Sequence, residues 1–223
     1  MTGTAPQERE SGQPSAVDQE LSPGWHAALS EAWDAYLHGS YPVGAVIVDT
    51  QGRVIARGRN RLGEPRRVDG GVIAGHDLAH AEINALLDLR EAPRPECYGW
   101  TLLTTLQPCP QCAAALAMCG IRHVQYAAPD EWIAASNLLT HDPYLVRKNV
   151  RVSRAAEAIG HVALRLTLVG LREGGHVPDG PLWQAFGVHA EDVSRAESLH
   201  AEGTLAALRE RRAPLSAALA VLA

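Results

Sequence analysis

The sequence predicts a layered α/β sandwich, and three observations carry that expectation. Apolar residues recur at helical spacing from Trp25 to Leu37, two β-rich runs then face each other across a hairpin turn, and helical and strand-like segments alternate as far as Ala128. A chain that alternates in this way packs helices onto a sheet in layers.

Each element has a local reason. Trp25, Ala28, Leu29, Ala32, Trp33, Tyr36 and Leu37 form one stripe of a first helix. Pro42-Val-Gly leads into a strand over Ala45 to Asp49, Gln51-Gly52 reads as a turn, and Val54 to Asn60 returns antiparallel. Arg61 to Ala74 contains Gly63, Pro65, Gly70 and Gly71 without periodicity, so it reads as a long loop expected to border a site. His80 to Leu89 is helical in composition and spacing, Thr101 to Leu106 is β-rich, and Pro108 stands where helices begin, ahead of Ala113 to Met118 and a closing Gly120. His123 to Ala128 is a fourth strand. Beyond Pro129, Val150 to Val152 and Val162 to Val169 read as strands and Ala190 to Arg212 as an exposed polar helix. Pro178-Asp-Gly-Pro181 marks a joint before a C-terminal appendage.

Composition narrows the function classes. The 223 residues, 46% of them apolar, can bury a sizeable core, which excludes a peptide-sized module. A net charge of −5, from 20 basic and 25 acidic side chains, offers no overall positive field for collecting phosphates and argues against tight generic nucleic-acid binding. Arg147, Lys148, Arg151 and Arg154 form a basic cluster that reads either as a solvated face or as a phosphate contact. Residues 1–22 lack the basic start and apolar run of a signal peptide and are expected to be a disordered leader. No segment approaches the roughly 18 apolar residues of a membrane span. The expectation is therefore a cytoplasmic protein with its main domain over residues 23–155 and an extension over 156–223 packed on that domain.

The four cysteines, Cys97, Cys109, Cys112 and Cys119, are too few for a disulfide scaffold and two of them form a C-x-x-C pair, which points to a reducing compartment and metal or redox chemistry. His80-Ala-Glu82 opens one helix and Pro108-Cys109-Pro-Gln-Cys112 opens another. One imidazole and two thiolates suit zinc, and three protein ligands leave a fourth tetrahedral position open for water, as catalytic sites require. Cys109 and Cys112 in a first helical turn gain thiolate character from the helix dipole, and their spacing puts both sulfurs on one face. Glu82, two residues from His80, is expected to point away from the ion's ligand direction and to serve as a general base. A closed structural zinc site would need a fourth ligand, and Cys119 lies about 10 Å along the helix from Cys112. A dithiol redox pair would leave His-Ala-Glu unexplained. Cys97 and Cys119 are expected to be buried small apolar residues.

Pro42-Val-Gly-Ala-Val-Ile-Val-Asp49, Ala79-His-Ala-Glu-Ile83 and Thr104-Thr-Leu-Gln-Pro-Cys109, in this order, resemble the zinc-dependent cytidine and deoxycytidylate deaminase superfamily, which carries H-x-E and P-C-x-x-C. The chain looks most like the branch of guanine deaminases, fungal-type cytosine deaminases and tRNA adenosine deaminases. The resemblance implies a three-layer sandwich with a five-stranded mixed sheet flanked by helices, one zinc per chain on His80, Cys109 and Cys112 with water or hydroxide as fourth ligand, proton shuttling by Glu82, and usually a homodimer. It also implies substrate contact by Asn60 and the Ala81 backbone. Asn60 reads equally as a turn residue, and Trp132 as a stacking platform or as packing. Gln107 stands where the tRNA-acting enzymes commonly carry glutamate, and their chains end sooner. The expected function is hydrolytic deamination of a nucleobase or nucleoside, with a tRNA adenosine deaminase and a non-catalytic zinc-stabilised binding module as the alternatives.

Overall fold

The structure is a computed structural model that describes residues 21–135 and 137–223, so nearly all of the expected leader lies outside the described residues. Ser22 opens α1 (Pro23–Leu37): its hydroxyl accepts the Trp25 amide hydrogen at 3.4 Å, and Pro23 supplies the fixed φ suited to a first helical residue. The predicted stripe is the buried face, with only Leu37 partly exposed at its end.

Strands β1 (Gly44–Val48) and β2 (Val54–Arg59) form the expected antiparallel hairpin. Asp49 Oδ1 closes its turn by accepting the amide hydrogens of Gln51 at 2.8 Å and Arg53 at 3.0 Å. The stretch read as a plain loop holds a hairpin of its own, β3 (Arg67–Asp69) with β4 (Val72–Ala74). Gly70 and Gly71 both take positive φ there, the signature of a two-residue primed turn, and the flanking strands are too short to show alternation.

Helix α2 (Ala81–Asp88), β5 (Thr101–Leu106), α3 (Pro110–Cys119) and β6 (His123–Ala128) follow as expected, and Gly120 ends α3 at φ 92°. A short α4 (Leu138–His141) precedes β7 (Arg151–Arg154), which realises the strand expected near Val150. The sheet order is β2-β1-β5-β6-β7, with β1 antiparallel to β2 and β5, and β6 parallel to β5 and β7. Arg151 and Arg154 are exposed on the edge strand β7, where charge discourages pairing with another chain.

One buried cluster lies between the sheet and α2 and α3, around Ile47, Ala85, Leu102 and Leu116. The other gathers Leu29, Trp33, Val46 and Leu103 with Leu166, Phe186 and Leu219. Val162 to Val169 therefore belongs to a helix, α5 (Glu157–Glu173), and not to a strand. That segment is buried almost all round between the sheet and the C-terminal helices, and its leucines alternate with Arg165 and Thr167, which imitates the period of a strand. The single polar helix read over Ala190 to Arg212 is two helices, α7 (Ala190–Ala201) and α8 (Thr204–Glu210), broken at Gly203. Their Ala196, Leu199, Leu205 and Leu208 are buried. Pro178 to Gly180 turns the chain into α6 (Pro181–Ala185), and α9 (Leu215–Leu222) follows α8. Trp33 Nε1 donates to Ala213 O at 2.8 Å, tying α1 to the segment before α9. Among the described residues no helix is long and apolar enough to cross a membrane.

Helix α2 lies directly on β2, because a Cβ on Gly58 would stand 2.1 Å from Ala85 N and 2.3 Å from Ala81 O. Gly58→Ala must push α2 off the sheet; the expected result is a loss of about 2 kcal/mol or more in urea unfolding with an unchanged m-value, and no loss would contradict this packing.

Candidate active site

His80 and Cys109 are not helical residues but the N-caps of α2 and α3, both with extended backbone, at φ −75°, ψ 155° and φ −71°, ψ 172°. Extended caps turn their side chains off the helix axes and toward one another. His80 Nδ1 lies 3.5 Å from Cys109 Sγ and 3.5 Å from Cys112 Sγ, and all three ligand atoms fall within 4.8 Å. An ion about 2.3 Å from sulfur and about 2.05 Å from nitrogen, at a tetrahedral angle, requires a nitrogen–sulfur separation of about 3.6 Å. The observed separations fit zinc. Among the described residues this is the one cluster of its kind, and Cys119 is exposed, not buried as expected, because the last turn of α3 faces outward there. Cys97 is buried.

Glu82 stands beside the three ligands without joining the group whose atoms lie within 4.8 Å of one another, and because His80 is a cap outside the helix, the hundred-degree step per residue does not describe their relation. Glu82 Oε2 lies 3.3 Å from Cys112 Sγ, beside the ligand cluster, and the Thr104 hydroxyl reaches Glu82 Oε1 at 3.2 Å and Leu106 O at 3.1 Å. Glu82 is only 4% exposed. Burial pushes its carboxyl above the usual range, opposed by its own amide and by His80.

Cys109 is held down at about 4, chiefly by the hydrogen bond from the Cys112 thiol, with His80 adding to it against burial. The Cys112 thiol is pushed up by the same hydrogen bond and by burial, and His80 is raised by its contact with Cys109. The pair thus shares one negative charge across two sulfurs, and ion uptake must expel the remaining protons.

These groups open on a cavity of about 250 Å³ that Asn60, Ala81, Glu82 and Trp132 all line, so the three predicted substrate contacts come together with the carboxylate. Asn60 is buried, and its Oδ1 accepts the Leu62 amide hydrogen at 3.0 Å, so it is a turn residue that also faces the cavity. Trp132 is 49% exposed and belongs to neither buried cluster. Asp130 Oδ1 accepts the Trp132 and Ile133 amide hydrogens at 2.9 and 3.0 Å, folding a turn that brings both side chains to the rim. Of the long segment Arg61 to Ala74, only Leu62 lines the cavity.

Several positioning groups escaped the sequence reading. Asn84 fastens α2: its Oδ1 accepts the Ile73 amide hydrogen at 2.8 Å and its Nδ2 donates to Arg59 O at 3.1 Å and Ile73 O at 3.0 Å. An asparagine among the buried residues of α2, where Glu82 is the other polar one, was its one available signal. Thr104 shares β5 with Thr101 and Thr105, and nothing local singles it out. Thr167, Leu171, Leu182 and Phe186 also line the cavity, and no local pattern announces them.

A zinc-binding fold of this shape defines a class, and comparison with known proteins agrees. The profile of the cytidine and deoxycytidylate deaminase zinc-binding region matches residues 19–128. The chain belongs to this family. A tRNA-specific adenosine deaminase of Agrobacterium fabrum is 41% identical over 104 residues, 46% of this chain and 62% of that protein. Cytosine deaminase of Candida albicans is 28% identical over 102 residues, 45% of this chain and 61% of that one. A solved structure from a study of tRNA:A34 deaminases is 30% identical, covering 59% of this chain and 96% of that one at a TM-score of 0.45. The chain spans less than two thirds of the length of these two curated relatives.

In metal-free protein a thiolate ultraviolet absorbance is expected that fades only as pH falls toward about 4 and is absent from Cys109→Ala. A first thiolate appearing only near the ordinary cysteine value of about 8.5 would contradict the shared charge.

Proposed function

We propose that this chain is a zinc-dependent hydrolytic deaminase that replaces the exocyclic amine of a nucleobase or nucleoside with a carbonyl oxygen and releases ammonia. The observation that carries this reading is a buried carboxylate, Glu82, standing 3.3 Å from a sulfur of a three-ligand cluster and lining a cavity. His80, Cys109 and Cys112 would hold one zinc per chain, leaving the fourth position to water. When bound, zinc lowers the pKa of such a water from 15.7 toward about 7.

Glu82 does the proton work. Its Oε2, beside the ligand cluster, takes a proton from water, passes it to the ring nitrogen next to the reacting carbon, and protonates the departing amine on the way to ammonia. A carbon–oxygen bond forms and a carbon–nitrogen bond breaks, with water supplying the oxygen. Thr104 holds Oε1 and so orients the other oxygen. Asn60 offers a donor and an acceptor to a heterocycle edge, the Ala81 backbone lies along the cavity, and Trp132 offers a face for stacking. The family resemblance supports a homodimer, and the cysteine usage supports a reducing, cytoplasmic setting.

A tRNA adenosine deaminase is the second reading, favoured by the 41% identical relative. Against it, the residues lining the cavity include Glu82 and Asp130 and neither lysine nor arginine, so the site offers no cation to a phosphate backbone.

Glu82→Gln is expected to lower ammonia release on the order of a thousandfold while zinc content by atomic absorption stays at the wild-type level. His80→Ala, Cys109→Ala and Cys112→Ala should each lose the metal. Retained turnover in Glu82→Gln would refute the assignment, and bound zinc with no turnover of bases, nucleosides or tRNA by the unaltered protein would favour a non-catalytic module.

A further inference from the structure

The family match ends at residue 128, yet the Glu82 cavity does not. Thr167 and Leu171 on α5, Leu182 on α6 and Phe186 immediately after it complete its lining. Phe186 is 2% and Leu171 7% exposed, and both belong to the buried cluster that contains Leu29 and Trp33. This side of the cavity is therefore anchored in the core and not free to swing away. It is also clasped at the rim: His189 Nε2 meets Glu131 Oε1 at 2.8 Å, joining the turn after Phe186 to the turn that carries Trp132 and Ile133. The wall is apolar, since the Thr167 hydroxyl spends its proton on Ala163 O at 2.9 Å within its own helix.

A fixed apolar wall favours a ligand that buries flat, apolar faces. A ribose seated on this side would set its hydroxyls against leucine and phenylalanine, which offer them no hydrogen-bond partner.

We propose that Leu171, Leu182 and Phe186 are specificity-determining residues that confine the site to a compact free heterocyclic base and exclude ribonucleosides and tRNA. The inference rests on the deaminase reading of the Glu82 site and names its substrate class.

Binding tests it without turnover. Zinc-loaded Glu82→Gln protein is titrated by calorimetry with adenine, cytosine and 8-azaguanine, with adenosine, cytidine and guanosine, and with an anticodon stem-loop RNA. At least one base should bind tenfold or more tighter than its nucleoside, and no binding of the RNA is expected. Adding Leu182→Ala, a half-buried position, should narrow the base-to-nucleoside ratio by about tenfold. His189→Ala, which opens the clasp without touching the wall's core, should shift it the same way with an unchanged melting temperature. A nucleoside or RNA binding as tightly as the base, no binding of any ligand, or a ratio unmoved in both variants would overturn the inference. Ammonia release by the protein with Glu82 intact is read in parallel. Turnover of nucleosides or tRNA would leave the deaminase reading standing and remove the inference, whereas selective base binding without ammonia from any substrate would remove the reading alone.

Discussion

Three ligand atoms from two chain segments must come within a few tenths of an ångström of tetrahedral separations, and the placement of two helix starts beside β5 is what achieves it. Helix α2 enters just before β5 and α3 leaves just after it, so His80 and Cys109 arrive as N-caps at one end of the same strand. The extended backbone of a cap aims a side chain in a direction no interior helical residue can reach. Everything that fixes the height of α2 above the sheet then becomes part of the site. Gly58 permits the close approach, and Asn84 fastens the helix to Arg59 and Ile73 through three hydrogen bonds.

The electrostatics follow from the same crowding. A carboxylate, an imidazole and two thiols lie within hydrogen-bonding distance and largely out of water. Burial penalises each charge separately, so the protein distributes a single negative charge over Cys109 and Cys112 and places the imidazole against it. A dication is the natural complement of such a set. Thr104, buried in the middle of β5, gives Glu82 a fixed hydrogen-bond partner where water has little access.

The residues proposed to do the chemistry were legible in the sequence because they sit in short spacings on segments whose helical or strand character is local. His80, Glu82, Cys109 and Cys112 are of this kind, and so is the α1 stripe. What could not be read depended on distance along the chain. Val162 to Val169 is buried on nearly every side because α5 is enclosed by the sheet and by helices that come later, and the alternation of its leucines with Arg165 and Thr167 reads locally as a strand. The relation of His80 to Glu82 could not be read from helical spacing, because the helix starts one residue later than the composition suggests and His80 is its cap. Leu182 and Phe186 meet the cavity only through tertiary packing, and no spacing in their neighbourhood encodes it.

The shared cluster beneath α1 also bears on how the chain reaches this state. Trp33 waits for a carbonyl 180 residues further along, and Leu29 for helices that follow the whole sheet. Contacts of such separation slow the search for the native topology, because a long loop must close before they return any energy. During synthesis α1 therefore meets β1 and β2 early, while the part of its face around Leu29 and Trp33 stays incompletely covered until the C-terminal helices emerge. Apolar surface left open in that interval is where an unfinished chain is most prone to aggregate.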